Sequence, residues 1–181
     1  MRFECINQSL FFPYADFMAT DEEVQARARA LSSPIRLRIM RLCLHKSRTN
    51  KEIADLLDIN PATSLHHVRT LLANGFIEAE EPRRGNRGAK EVPYRSTRMS
   101  WGTKLPDAAP VLVDTFLQEI DGLSPNEIQV LRVGLKLNEA DQRELLSRIH
   151  AVIEDYALRA PDPEGVATSL FMAHHLDLGA G

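Results

Sequence analysis

Two neighbouring stretches, Thr49 to Leu57 and Pro61 to Asn74, carry so many local start and stop signals that few folds remain open to them. Thr49-Asn50-Lys51-Glu52 has the form in which a threonine hydroxyl and a glutamate three residues on satisfy each other's free amides at a helix start. The helix it opens, roughly residues 50–57, directs Ile53, Leu56 and Leu57 inward and offers small Ala54 where another helix crosses closely. Asp58-Ile59-Asn60 leaves room only for a tight connection, and Pro61 suits the first position of the next helix. In that helix Leu65, Val68, Leu71 and Leu72 mark the buried side, and Asn74-Gly75 supplies a left-handed stop. Two short helices joined in this way are the helix-turn-helix arrangement.

The flanks extend the pattern. Residues 21–30, DEEVQARARA, combine good helix formers with early acids that suit a helix N-terminus. Ser33 is placed to cap a second helix that begins at Pro34, with Ile35, Leu37, Ile39, Leu42, Cys43 and Leu44 as its apolar stripe. Cys43 lies inside that stripe and reads as a small core hydrophobe. Downstream, Phe76 to Glu80 and Val92 to Thr97 read as strands around the loop EPRRGNRGAKE of residues 81–91. Helix, helix-turn-helix and a long-looped hairpin together make a winged helix. The expected fold class is mainly α with a small β-hairpin wing (α+β), followed by a C-terminal α-helical dimerisation region.

Composition sharpens this reading through the distribution of charge. The net charge of −3 hides a split: residues 24–104 hold 16 Lys and Arg against 7 Asp and Glu, whereas residues 105–181 hold 5 against 13. A basic half of that strength is suited to a polyanion. Two cysteines without CxxC spacing fit a reducing cytoplasm, and no apolar run reaches the ~18 residues of a membrane span. Residues 1–20 are expected to be a loose extension. The first seventeen lack the continuous apolar stretch of a signal peptide and are either that extension or a mis-called start.

Within residues 26–98, three features carry a family resemblance: SSPIRLRI before the motif, His66-His67-Val68 in its second helix, and ANGFIE leading into the wing. With them the stretch resembles the ArsR-type winged-helix transcriptional regulators, which implies a dimeric repressor that binds operator DNA and often releases it on binding an effector. In a helix-turn-helix the second helix enters the major groove. Its buried set leaves Thr63, His66, Arg69 and Thr70 outside, with Arg69 able to form the bidentate pair with guanine O6 and N7. His67 either packs in the bundle or joins the contact. The family usually has an apolar residue at Ser64 and a small polar residue or histidine at Leu65, so these two look exchanged. The preferred reading rotates the helix so that Leu65 fills the core and Ser64 faces DNA; the other turns Leu65 to the groove, against a thymine methyl. In the wing, Arg83, Arg84, Arg87 and Lys90 are expected to neutralise phosphates along the backbone or minor groove, with Gly85 and Gly88 letting the loop bend close.

The chain then divides into the winged helix of 21–100, a linker of 101–110 and a helical region of 111–181. In the last, Ser124-Pro125-Asn126-Glu127 looks like a capping box opening a helix through Leu137, Asn138 caps a long amphipathic helix, and Ala167–Leu176 could form a final strand. This region most simply makes a homodimer; enclosing an unknown small-molecule effector is the other use. His150 with Glu154, and His174-His175-Asp177, supply no convincing zinc set, and KEIADLLDI holds no cysteine, so no metal or cofactor is expected. No P-loop ending, GxSxG or HExxH points to an enzyme. The expected partner is double-stranded DNA, with no membrane. The rival reading is a protein-interaction module that uses the same basic face.

Overall fold

The computed structural model describes residues 20–85, 90–101 and 109–177. Except for Thr20, the N-terminal extension lies outside them, as does most of the 101–110 linker. Side chains that answer the unpaired first amides set the helix starts. Thr20 and Glu23 form a capping box ahead of α1 (Asp21–Leu31). Thr49 and Glu52 form the expected one ahead of α3 (Asn50–Leu57). Pro34 begins α2 (Pro34–Leu42), but Ser33 sits at the cap without a side-chain hydrogen bond, contrary to expectation. Arginines tie the helix ends instead. Arg36 donates from Nη2 to the Arg29 carbonyl at 2.8 Å and from Nε to the Ala30 carbonyl, closing the end of α1. Arg48 donates to the Leu42 carbonyl at 2.9 Å and does the same for α2. Part of the basic half's charge is therefore spent on holding the fold.

Between α3 and α4 (Pro61–Ala73), Asp58 adopts a left-handed φ of 52° and the Asn60 side chain accepts from the Ala62 amide at 2.8 Å. α4 ends as expected. Gly75, at φ 76°, donates to the Leu72 carbonyl at 3.1 Å, and the Phe76 amide reaches the Leu71 carbonyl at 3.0 Å. This double closure turns the chain sharply and brings Phe76 back under the helix.

β1 (Arg48–Thr49), β2 (Ile77–Ala79) and β5 (Pro93–Ser96) form an antiparallel sheet in the order β1-β5-β2, with Ile77 opposite Ser96 and Ala79 opposite Tyr94. Further along the hairpin, β3 (Arg83–Arg84) and β4 (Lys90–Glu91) form a separate two-stranded ribbon. Leu31, Ile39, Cys43, Ile53, Val68, Leu71, Phe76 and Ile77 are buried together beneath α2, α4 and the sheet. Burial pushes the Cys43 thiol up to about 11, so it serves as a core filler. Leu56 and Leu72, expected inward, are 50% and 41% exposed, because Ile53 and Ala54 on α3 and Val68 and Leu71 on α4 take the core positions.

The chain forms two compact units, Met1–Glu119 and Ile120–Gly181. In the first, α5 (Ala109–Ile120) packs Val111 and Leu112 against the core, and Glu119 ion-pairs with Arg41 at 2.7 Å. In the second, the Asn138 side chain accepts from the Asp141 amide and caps α6 (Glu139–Leu158). The Ser124–Glu127 capping box forms, yet it opens only a single 3-10 turn, Pro125–Glu127. The helix expected through Leu137 is absent. Leu131, Val133, Leu135 and Leu137 recur every second residue around Gly134, which is not a helical period. The expected strand at 167–176 is likewise absent among the described residues.

Candidate nucleic-acid interface

An α4 packed through Val68 and Leu71 presents its opposite side to solvent. Thr63, His66 and Arg69 are exposed there, and half-buried Thr70 lies one turn after His66. The Thr70 hydroxyl donates back to the His66 carbonyl at 3.1 Å, which leaves its oxygen to accept. Among the described residues Arg69 makes no ion pair, so its five guanidinium donors face water. That face can offer donors at Arg69 and His66 and hydroxyls at Thr63 and Thr70 to a row of base edges.

Ser64 does not belong to it. Its residue is 0% exposed, and its hydroxyl donates to the Asn50 carbonyl at 3.5 Å, at the start of α3. The expected rotation that buries Leu65 does not occur; Leu65 is only half-buried. A small residue is needed where α4 meets α3, and Ser64 meets that need while its one donor finds a carbonyl. His67 turns toward the bundle: its Nδ1 is buried without a hydrogen bond among the described residues, and burial, then Arg36, then His66, hold its pKa below the ordinary imidazole value. With Nδ1 turned away from water and other cations nearby, this half-buried ring packs on the bundle side of α4.

The wing's cations divide similarly. Arg83 Nη2 lies 2.8 Å from Glu52 Oε1. The same glutamate accepts from the Thr49 amide at 2.6 Å, and this hydrogen bond is the main cause of its lowered pKa. Glu52 thus caps α3 and fastens the ribbon to it, a pairing across 31 residues that the local motif does not reveal. Arg84 and Lys90 stand directly opposite each other in the β3–β4 register, both exposed and neither ion-paired among the described residues. Like charges at facing positions destabilise a ribbon unless an anion lies between or above them. Arg87 and Gly88 fall outside the described residues. At Gly85 the Glu91 carboxylate occupies the space a side chain would need. Lys51 is exposed in the first turn of α3, beside Glu52.

Residues 31–80 match the family model described as "Helix-turn-helix domain". This stretch is similar to helix-turn-helix domains. The match runs from the end of α1 to the first wing strand, so α3 and α4 are its paired helices. Among solved structures, the chain is similar to a homodimeric winged helix-turn-helix DNA-binding domain from Mycobacterium bovis, described as a possible ArsR-family transcriptional regulator. The identity is 20%, over 61% of this chain and 89% of that one, at a TM-score of 0.37. A transcriptional regulator homologue from Pyrococcus horikoshii is 24% identical over 56% of this chain and 94% of its own, at a TM-score of 0.35. Both are distant likenesses. No curated protein matches the chain. Among the described residues, no helix is long and apolar enough to cross a membrane, and no three His, Cys, Asp or Glu are grouped to hold a metal ion.

The Glu52–Arg83 tie of the helix-turn-helix domain can be tested without disturbing its cap, because glutamine also serves in a capping box. In Glu52→Gln the helix start is expected to persist while the ion pair is lost. Both groups are more than a third exposed, so a thermal double-mutant cycle with Arg83→Gln should give a coupling of up to about 1 kcal/mol. A coupling indistinguishable from zero would show that the pair does not hold the wing.

Proposed function

We propose that this chain is a sequence-specific, double-stranded-DNA-binding transcriptional regulator of the cytoplasm, acting as a homodimeric repressor. α4 lies in the major groove with Thr63, His66, Arg69 and Thr70 toward the bases. Arg84, Arg87 and Lys90 meet phosphates beside it, and the dimer sets two such helices ~34–36 Å apart. The second unit, beyond α5, supplies the pairing surface and is the region where a small-molecule effector would act. The observation that carries the reading is the facing Arg84–Lys90 pair: two exposed cations held together on a ribbon that Glu52 fastens to the helix-turn-helix. Such an arrangement is unfavourable alone and favourable on a phosphate backbone.

Duplex binding measured by fluorescence anisotropy across a salt series tests it. The log K against log salt slope should be steep, and Arg84→Ala with Lys90→Ala should flatten it by about one per lost phosphate contact, equally for all duplex sequences. An unchanged slope would remove the wing from the interface. Equal affinity for an acidic protein would favour the interaction-module reading, and equal affinity for single-stranded RNA would favour RNA binding instead.

A further inference from the structure

The β3–β4 ribbon carries an acid among its cations, and that acid does not pair as its position invites. Glu91 stands directly opposite Arg83 in the register, the placement in which unlike charges stabilise a ribbon. Arg83 nevertheless pairs with Glu52 on α3, and Glu91 forms no ion pair among the described residues. The Glu91 side chain crosses instead to Gly85, two residues beyond Arg83 and so, by the alternation of a strand, on the same face of the ribbon. A Cβ on Gly85 would fall 2.6 Å from Glu91 Cγ and nearer still to Cδ and Oε1. Gly85 does not take the left-handed φ that Gly75 takes, so its backbone is open to alanine. What this glycine supplies is room.

We infer that Gly85 and Glu91 are a positioning pair for the wing: the missing Cβ gives the Glu91 carboxylate a place apart from Arg83, and Arg83 is thereby left to Glu52. Both residues act through Arg83, and neither touches the duplex. While Arg83 stays with Glu52, the ribbon is fastened to α3. Arg84 and Lys90, on the other face by the same alternation, are then held toward the phosphates. A methyl group at position 85 would drive out the flexible end of Glu91, and the cation facing it across the ribbon is Arg83. Capture of Arg83 by Glu91 would replace a tie to α3 with one inside the ribbon, and the wing would come loose. The inference rests on the proposed function for what the wing meets, and not for how the wing is held.

Duplex binding by the full chain, with wild type, Gly85→Ala, Glu91→Gln and the double variant compared at one salt concentration, provides the test. Gly85→Ala should weaken every duplex by roughly fivefold, the upper worth of an exposed ion pair, without changing which sequence is preferred. Gly85→Ala/Glu91→Gln should restore wild-type binding. Glutamine has the length of glutamate and must swing as far, yet it carries no charge with which to hold Arg83. In an Arg83→Gln background, Gly85→Ala should cause no further loss. Undiminished binding by Gly85→Ala, a loss that Glu91→Gln does not repair, or a full further loss without Arg83 would each overturn the inference. Failure of the DNA reading looks different, because wild type itself then shows no salt-dependent duplex binding. The thermal Glu52–Arg83 cycle still reads the pair in that case: its coupling should vanish in Gly85→Ala and return when Glu91→Gln is added. A coupling that survives Gly85→Ala overturns the inference whatever the partner of the wing.

Discussion

Arg69→Ala is expected to lose about 1–3 kcal/mol of discrimination at the base pair it reads, while general duplex affinity changes little. Two structural facts give this residue the largest expected effect on specificity. Arg69 is exposed on the face of α4 opposite Val68 and Leu71, and it is not committed to an ion pair among the described residues. Its planar fork matches the O6 and N7 of guanine, which neither Thr63 nor His66 can duplicate with single hydrogen bonds. The measurement is competition between a selected duplex and its single-base variants. Wild type should separate them by about tenfold or more at one position, and Arg69→Ala should bind them nearly alike. If the variant keeps the full preference, the reading face of α4 has been misassigned.

Phe76→Ala is expected to cost the first unit about 3–5 kcal/mol, the range for truncating a buried aromatic ring. Phe76 is 0% exposed and follows the glycine that ends α4. Its backbone joins the two parts of the interface: its amide donates to the Leu71 carbonyl in α4, and its carbonyl accepts from the Thr97 amide beyond β5, at 3.1 Å. The cavity should therefore loosen the helix relative to the wing as well as lower the melting temperature. Thermal unfolding should show a fall of more than about 10 °C. At a temperature where the variant is still folded, duplex affinity should also fall. A loss confined to about 1 kcal/mol would mean that the ring is not the centre of the core.

The parts of the fold that were legible in the sequence are those decided within four or five residues. Thr49 with Glu52, Asn60 with Pro61, and Gly75 set helix ends through local backbone chemistry, and each forms as read. The site was less legible where long-range contacts decide. Ser64 and Leu65 differ by about 100° around one helix, and only the close approach of α3 determines that the small residue is the buried one. Arg83 looked equivalent to Arg84, yet its partner lies 31 residues earlier, in a motif whose local role already explained it. At Ser124 a correct cap signal was carried too far, since a cap starts a helix and the following residues must sustain it. Residues 128–137 alternate with Gly134 among them, a period that does not sustain a helix.

The central claim is that α4 reads base edges of a duplex. Selection of bound fragments from a random duplex pool by the full chain, followed by guanine N7 methylation protection on the winners, tests it most directly. The account predicts one enriched motif whose guanines are protected in the major groove by wild type and exposed in Arg69→Ala. A pool that remains unenriched after selection, or winners whose protection is the same with and without Arg69, would contradict it.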